Sequence, residues 1–154
     1  MGREWRCMFA QYVFPHLTTK LFALESQYDA WQLLNILQLH DPTGAGAVPF
    51  LTGFSPTSAC LHNNTCMQRF QGYGTTMRDA FAQVQAHAMG VFFPACIVHC
   101  EATVDGANAW SGATPHHWSI NNRTVAQAFG DCYFGRGSCT SVDESPWPSN
   151  PSCL

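Results

Sequence analysis

A histidine held between two cysteines is the residue of this sequence best suited to acid–base chemistry. His99 follows the apolar run 92–98 and lies between Cys96 and Cys100. A short apolar run predicts a buried strand, and open α/β sheets place their chemistry just beyond the carboxyl ends of strands. Histidine is also the side chain that most often acts as a general base. The alternative interpretation is a histidine in a cysteine-anchored loop with no function.

Asp29 is the candidate partner of His99. It follows a second apolar run, 20–25, which predicts a strand of a parallel sheet, and it lies at the start of a predicted helix over 28–39. Neighbouring parallel strands would bring both side chains to one edge of the sheet, as the acid and base of a hydrolase triad. Asp29 could instead serve as the helix N-cap, a position that aspartate favours. One residue can fill both roles.

The nucleophile of such a triad has no candidate in this sequence. In the chain order Ser, Asp, His, the serine comes first, on a G-x-S-x-G turn between a strand and a helix. The motif does not occur, and Ser55, Ser58 and Ser111 lie in predicted loops. Either the pair of Asp29 and His99 is incidental, or the serine lies upstream of this sequence.

A metal site is the second chemistry that the residue types allow. The pair His116 and His117, near Trp110 and Trp118, could bind a metal or a sugar, although such pairs are more often solvated loop residues. Another candidate ligand set consists of Cys60, His62, Cys66, Cys96, His99 and Cys100. The C-x2-H-C spacing within it fits no common zinc motif. We therefore predict neither a metal nor a cofactor.

Size, charge and cysteine content narrow the class of protein. The chain has 154 residues, enough for one domain with a sizeable core. Its net charge is −3 and it has no basic patch, which argues against a nucleic-acid partner. Eight cysteines without a C-x-x-C motif favour disulfides. The N-glycosylation sequons 63–65 and 122–124 also point to the secretory pathway.

The amino terminus does not match a secreted protein. Residues 1–6 contain no apolar segment that could act as a signal peptide, and no apolar run is long enough to span a membrane. We therefore expect the sequence to be the C-terminal part of a longer protein, or a mature fragment, with an extracellular or cell-wall location and no membrane partner.

The elements that must position the candidate residues alternate in type. The predicted elements are a strand over 20–25, helices over 28–39 and 67–88, a strand over 91–93 and a helix over 124–134. This order predicts an α/β layer fold with a parallel sheet. Because two strands make a poor sheet, the domain resembles the second half of a doubly wound sheet.

Two long segments have no predicted regular structure. Residues 42–66 form a loop of a length that is usually functional, and Cys60 and Cys66 are expected to close its far end. Residues 135–154 form a tail rich in Cys and Pro, which we expect Cys139 and Cys153 to hold in place. The sequence leaves the pairing of the eight cysteines open.

Four short motifs, in this order along the chain, resemble the pectin acetylesterase family, which includes the animal lipid-ester deacylase Notum. They are Glu4-Trp5-x-Cys7-x-Phe9, Tyr28-Asp29-x-Trp31-Gln32, Cys96-x-x-His99 and Asp143-x-x-Pro146-Trp147-Pro148-x-Asn150-Pro151-x-Cys153. The second and third are similar to the segments that carry the triad aspartate and histidine of that family. The likeness spans residues 3–153.

The resemblance implies an α/β-hydrolase-like, disulfide-stapled fold and the activity of a secreted serine carboxylesterase. Residues 1–154 would be a single partial domain, the C-terminal part of the catalytic domain, with Asp29 and His99 as catalytic residues. The serine and the oxyanion hole would lie outside this chain, so the fragment alone is expected to be inactive. The expected partner is an acetylated polysaccharide such as pectin, and the expected oligomeric state is a monomer.

The resemblance also bears on substrate size. Trp31 would fill a deep acyl pocket and Phe9 would form a second wall, so that an acetyl group enters and a long acyl chain does not. Alternatively, Trp31 is a core residue at helical spacing from Leu34. Three other functions stay open: a non-catalytic secreted binding module or pseudoenzyme, a small zinc protein, and a palmitoleoyl lipid-ester deacylase.

Overall fold

The computed structural model describes residues 4–36, 51–52, 55–56, 58–85, 88–99 and 118–153. The strands are β1 (Phe22–Leu24), β2 (Tyr28–Asp29), β3 (Leu51–Thr52), β4 (Ser55–Pro56), β5 (Gly90–Phe93), β6 (Ile97–Val98), β7 (Ser119–Ile120), β8 (Arg123–Thr124) and β9 (Thr140–Val142). The α-helices are α1 (Ala10–Val13), α2 (Ser58–Leu61), α3 (Asn64–Gln85) and α4 (Val125–Tyr133). Short 3₁₀ helices span Glu4–Met8, Phe14–His16 and Pro151–Cys153, and a π-helical turn spans Gln32–Ile36.

Three parallel strands in the order β1-β5-β9 form the main sheet. The central strand β5 is buried along its whole length, as expected of an apolar strand inside a parallel sheet. The predicted α/β class and parallel sheet are confirmed. The third strand was not predicted, because Thr140-Ser141-Val142 is neither an apolar run nor an alternating pattern.

A second parallel ladder joins β2 and β6, with Tyr28 opposite Ile97 and Asp29 opposite Val98. β2 follows β1 along the chain and β6 follows β5, each after three residues. The prediction of a helix from Tyr28 was therefore wrong at its start, because Tyr28 and Asp29 pair with β6 and the helical turns begin only after them. Residues 37–39 of the predicted helix lie outside the described residues.

The long helix α3 covers the sheet. It begins three residues before the predicted Met67, and Asn63 caps it by accepting a hydrogen bond from the amide of Cys66 at 3.0 Å. It continues through Gly72 and Gly74 without a break. Phe81 of α3 stacks on Phe93 of β5 with a ring-centroid distance of 4.0 Å.

The two segments that were predicted as loops contain regular structure. Residues 42–66 include the antiparallel pair β3 and β4, helix α2 and the first turn of α3. The tail 135–154 includes β9 and a 3₁₀ turn. Strands of two or three residues are too short to show a periodic pattern, so no local pattern predicts them.

Three disulfides are formed among the described residues: Cys60–Cys66, Cys96–Cys153 and Cys132–Cys139. The predicted closure at Cys60 and Cys66 and the predicted anchoring of the tail through Cys139 and Cys153 are confirmed. Cys7 is a free, exposed thiol, and Cys100 lies outside the described residues.

Candidate acid–base site

Asp29 and His99 meet at the carboxyl ends of β2 and β6. The Nδ1 atom of His99 lies 2.7 Å from Oδ2 of Asp29. The Asp29 side chain is 4% exposed and the His99 side chain is 41% exposed. The parallel register that places Asp29 opposite Val98 brings the next residue, His99, to the same edge. The structure therefore brings the two residues together as their positions after neighbouring strands predict.

Asp29 uses its two carboxylate oxygens for different partners. Oδ1 accepts a hydrogen bond from the amide of Gln32 at 2.6 Å, as an N-cap does. Oδ2 faces His99, and because an ionised carboxylate can only accept, the proton is assigned to Nδ1 of the imidazole. Nε2 then keeps its lone pair, which is the state that a general base requires.

Two further ionisable side chains surround the pair. Burial raises the pKa of Glu25, and the negative charge of Asp29 adds to this, while the Ser26 amide and His99 act in the opposite direction. Burial also raises the pKa of Tyr73 above its ordinary value, as do the charges of Asp29 and Glu25. The Tyr73 phenol therefore stays neutral in the physiological range.

Trp31 stands beside the imidazole and is not a core residue. Its ring is nearly parallel to that of His99, with an angle of 24° between the planes and 6.0 Å between the centroids. The residue is 49% exposed. The interpretation of Trp31 as core is wrong, because the helical turn begins only after β2 and this turn directs Trp31 outward while Leu33 is buried.

Phe9 lies in the amino-terminal segment, between the first 3₁₀ helix and α1. It is 51% exposed, and its ring meets Trp5 edge-on at 5.9 Å. Among the described residues, the structure shows this contact with Trp5 rather than one with His99 or Trp31.

A cavity of about 520 Å³ adjoins the acid–base site. Glu25 and Gln32, the residue whose amide binds Asp29, form part of its polar wall. The other lining residues are mostly apolar and belong to the amino-terminal segment, β1 and α3, among them Phe14, Leu24 and Phe81. Neither Asp29 nor His99 lines the cavity, so it borders residues around the pair rather than the pair itself.

Two buried polar residues that the sequence did not single out support β2. The Ser26 hydroxyl donates to the carbonyl of Cys96 and accepts from the amide of Tyr28 at 3.1 Å. Gln27 is fully buried, and its Nε2 donates to the carbonyls of Phe93 at 3.1 Å and Asp143 at 2.8 Å. The only sequence signal for this role is that Ser26 and Gln27 are two consecutive polar residues between the apolar run 20–25 and β2.

Disulfides remove three of the six candidate metal ligands. Cys60, Cys66 and Cys96 are disulfide-bonded and cannot act as thiolates. Within the described part of the chain, no three His, Cys, Asp or Glu side chains are grouped so that they could hold a metal ion. Trp118 is buried at 3% exposure, so it does not face a sugar, and His116 and His117 lie outside the described residues.

The sequence is similar to one family of known proteins. Residues 1–154 match the Pectinacetylesterase family. Over 150 residues, which are 96% of this chain and 36% of the relative, the sequence is 33% identical to pectin acetylesterase 11 of Arabidopsis thaliana. Pectin acetylesterases 7 and 5 of the same plant are 28% and 29% identical, with 36% and 33% of their lengths covered. The chain thus spans about a third of the length of these relatives, and it belongs to the pectinacetylesterase family.

Proposed function

We propose that this chain supplies the acid and base of a serine carboxylesterase that removes O-acetyl groups from a polysaccharide such as pectin. The observation that carries the proposal is the 2.7 Å contact between His99 Nδ1 and Asp29 Oδ2, with the carboxylate buried and the imidazole exposed. The relatives are pectin acetylesterases by name, which supports an acetylated polysaccharide as substrate.

The geometry suits the proton transfers of both the acylation and the deacylation steps of ester hydrolysis. His99 Nε2 takes the proton of a serine hydroxyl while that oxygen attacks the acetyl carbonyl, and it then protonates the leaving sugar oxygen. Water deprotonated by His99 next attacks the acetyl-enzyme, which releases acetate and returns the proton to the serine. Asp29 holds the imidazole in the required tautomer and stabilises the imidazolium.

The nucleophile is proposed to come from outside this chain. The sequence contains no G-x-S-x-G turn, and it covers about a third of its relatives. Residues 1–154 would then be the C-terminal part of a catalytic domain with an α/β-hydrolase-like, doubly wound sheet. β1 lies at the edge of the described sheet, where a further strand could pair.

Activity with and without the upstream region tests this proposal. We expect purified Met1–Leu154 to release no acetate from acetylated pectin, because the serine and the oxyanion hole are missing. A protein translated from the reading frame extended upstream should release acetate, and His99→Ala in it should remove nearly all activity. Hydrolysis of p-nitrophenyl acetate by Met1–Leu154, blocked by a serine reagent, would refute the proposal that the nucleophile lies outside this chain. An inactive extended protein would favour a binding module.

Substrate size is proposed to depend on Trp31. Its ring lies against His99, so it could limit the space for an acyl chain next to the general base. In the extended enzyme, we expect Trp31→Ala to raise the ratio of kcat/KM for octanoyl over acetyl esters by about tenfold to a hundredfold, since overpacking a pocket costs roughly 1–3 kcal/mol. The same ratio measured in Phe9→Ala tests whether Phe9 forms a second wall of the proposed acyl pocket. An unchanged ratio in Trp31→Ala would end the short-acyl proposal.

We also propose that the protein is secreted and glycosylated at Asn122. Asn122 is exposed, with a φ of 63°, at the end of the β7–β8 hairpin. Asn63 is half-buried and caps α3 inside the Cys60–Cys66 ring. Glycans require an accessible surface, so Asn122 is the better acceptor of the two.

Two matched variants test the glycan position in protein secreted from a eukaryotic host. Asn122→Asp keeps a residue that tolerates a positive φ, and Asn63→Asp keeps an N-cap. Asn122→Asp should lower the mass by one glycan, and Asn63→Asp should leave the mass unchanged. Loss of a glycan in Asn63→Asp, or no loss in Asn122→Asp, would contradict the assignment.

A further inference from the structure

The tail that follows β9 bonds to the chain segments on both sides of the acid–base pair. The Asp143 carboxylate binds the turn before β6, which is formed by residues 94–96, and Cys153 forms a disulfide with Cys96 in the same turn. On the other side, the carbonyl of Trp147 accepts from Gln71 Nε2 at 2.8 Å, and Gln71 Oε1 accepts from the Tyr28 hydroxyl at 2.6 Å. The proposed chemistry does not by itself explain these bonds.

Asp143, in the described part of the tail, forms three hydrogen bonds to the segments that carry Asp29 and His99. Its Oδ2 accepts from the amide of Ala95 at 2.7 Å, and its backbone amide donates to the carbonyl of Phe93 at 3.1 Å. Its carbonyl accepts from Gln27 Nε2 at 2.8 Å. Gln27 precedes Asp29 by two residues and Ala95 precedes His99 by four. Asp143 therefore binds the backbone or side chain of a residue shortly before each member of the pair.

Asn150 fixes the orientation of the Asp143 carboxylate. Its Nδ2 donates to Asp143 Oδ2 at 2.7 Å and to the carbonyl of Ser119 at 2.9 Å. Its Oδ1 accepts from the amide and the hydroxyl of Ser152 at 2.9 Å and 2.6 Å. Asn150 is 7% exposed, whereas Asp143 is half-buried, so the bond between them is charge-assisted and partly shielded from water.

We propose that Asp143 is a positioning residue: its carboxylate holds the turn before β6 and thereby keeps His99 Nδ1 in contact with Asp29. Ala95 is fully buried, so without the carboxylate its amide would lose its acceptor and the turn would have to move to find another. The effect on catalysis rests on the proposed function, whereas the effect on the contact between Asp29 and His99 does not.

The exchange of the His99 Nδ1 proton with water measures this contact in Met1–Leu154 without any need for activity. NMR would compare the wild type with Asp143→Ala, which removes the acceptor, and Asp143→Asn, which keeps the shape and loses the charge. We expect exchange to be about tenfold faster in Asp143→Ala, the order of effect of one hydrogen bond to a charged group. A smaller increase is expected in Asp143→Asn.

Asp131→Asn is the matched control. Asp131 is also bonded, to Arg123 at 3.2 Å and to Arg136 at 3.3 Å, but in a partly exposed cluster at α4. Its variant should exchange the His99 proton at the wild-type rate. Unchanged exchange in folded Asp143→Ala would overturn the proposal, as would an equal acceleration in Asp131→Asn. If Asp143→Ala does not fold, unchanged exchange in Asp143→Asn would overturn it.

Discussion

Asp29 combines a structural and a proposed chemical role in one carboxylate. Asp29→Asn keeps the cap on the following turn, since asparagine caps as well as aspartate, but its amide no longer favours the proton on His99 Nδ1. In the proposed enzyme that includes an upstream region, we expect kcat to fall by roughly 10⁴-fold. Asp29→Ala should also lose the cap, with a further cost of about 1 kcal/mol in the free energy of unfolding. Near-normal kcat in Asp29→Asn would show that the pair is not catalytic.

Glu25 makes stability depend on pH. Its pKa in the folded protein is raised above 4.5, chiefly by burial, so folding favours the protonated form. The stability that this gives is present below the ordinary pKa and is lost as the pH rises through the folded-state pKa. We expect Glu25→Gln to raise the denaturant midpoint at neutral pH and to lose this advantage in acid. The exposed Glu144→Gln is the control, and an equal gain there would contradict the burial argument.

At the scale of elements, Gly72 and Gly74 of α3 allow the effect of helix propensity on stability to be measured separately from that of packing. A Cβ at Gly74 would lie 2.5 Å from Cζ of Tyr28, whereas a Cβ at Gly72 would meet nothing within 4 Å. Both lie in α3, where alanine is intrinsically favoured over glycine by about 1 kcal/mol. Gly74 is thus kept for the close approach of α3 to β2, the strand that carries Asp29.

Alanine at these two positions should have opposite effects. Gly72→Ala should raise the free energy of unfolding by about 0.5–1 kcal/mol. Gly74→Ala should lower it by about 1–3 kcal/mol, because the overpacking exceeds the gain in propensity. Urea unfolding of both variants measures the difference, and stabilisation by Gly74→Ala would mean that Tyr28 can move away at little cost.

At the scale of the molecule, the three disulfides constrain the unfolded chain unequally. Cys96–Cys153 joins residues 57 apart, whereas Cys132–Cys139 joins residues 7 apart. Loop-closure entropy predicts losses of about 4 kcal/mol on removal of the first and about 2 kcal/mol on removal of the second. Thermal unfolding of the two double Cys→Ala variants tests this order. Equal losses would mean that strain or residual structure, rather than loop length, decides the effect.

The sequence alone determined the parts of this protein that local patterns encode. The runs 20–25 and 91–93 are apolar because strands inside a parallel sheet are covered on both faces. The buried residues Phe70 and Phe81 of α3 follow the period of a helix that is buried on one side. Since Asp29 and His99 follow such strands, their meeting at one edge could be derived without coordinates.

Only the tertiary structure decided which distant surfaces meet. β9 is a strand because Val91, Phe92 and Phe93 pair with it, not because Thr140-Ser141-Val142 has a strand pattern. The Cys96–Cys153 disulfide, the stacking of Trp31 on His99 and the bonds of Asp143 to the turn before β6 all join segments far apart in sequence. Such contacts depend on how whole layers pack against one another, and no local sequence pattern predicts that packing.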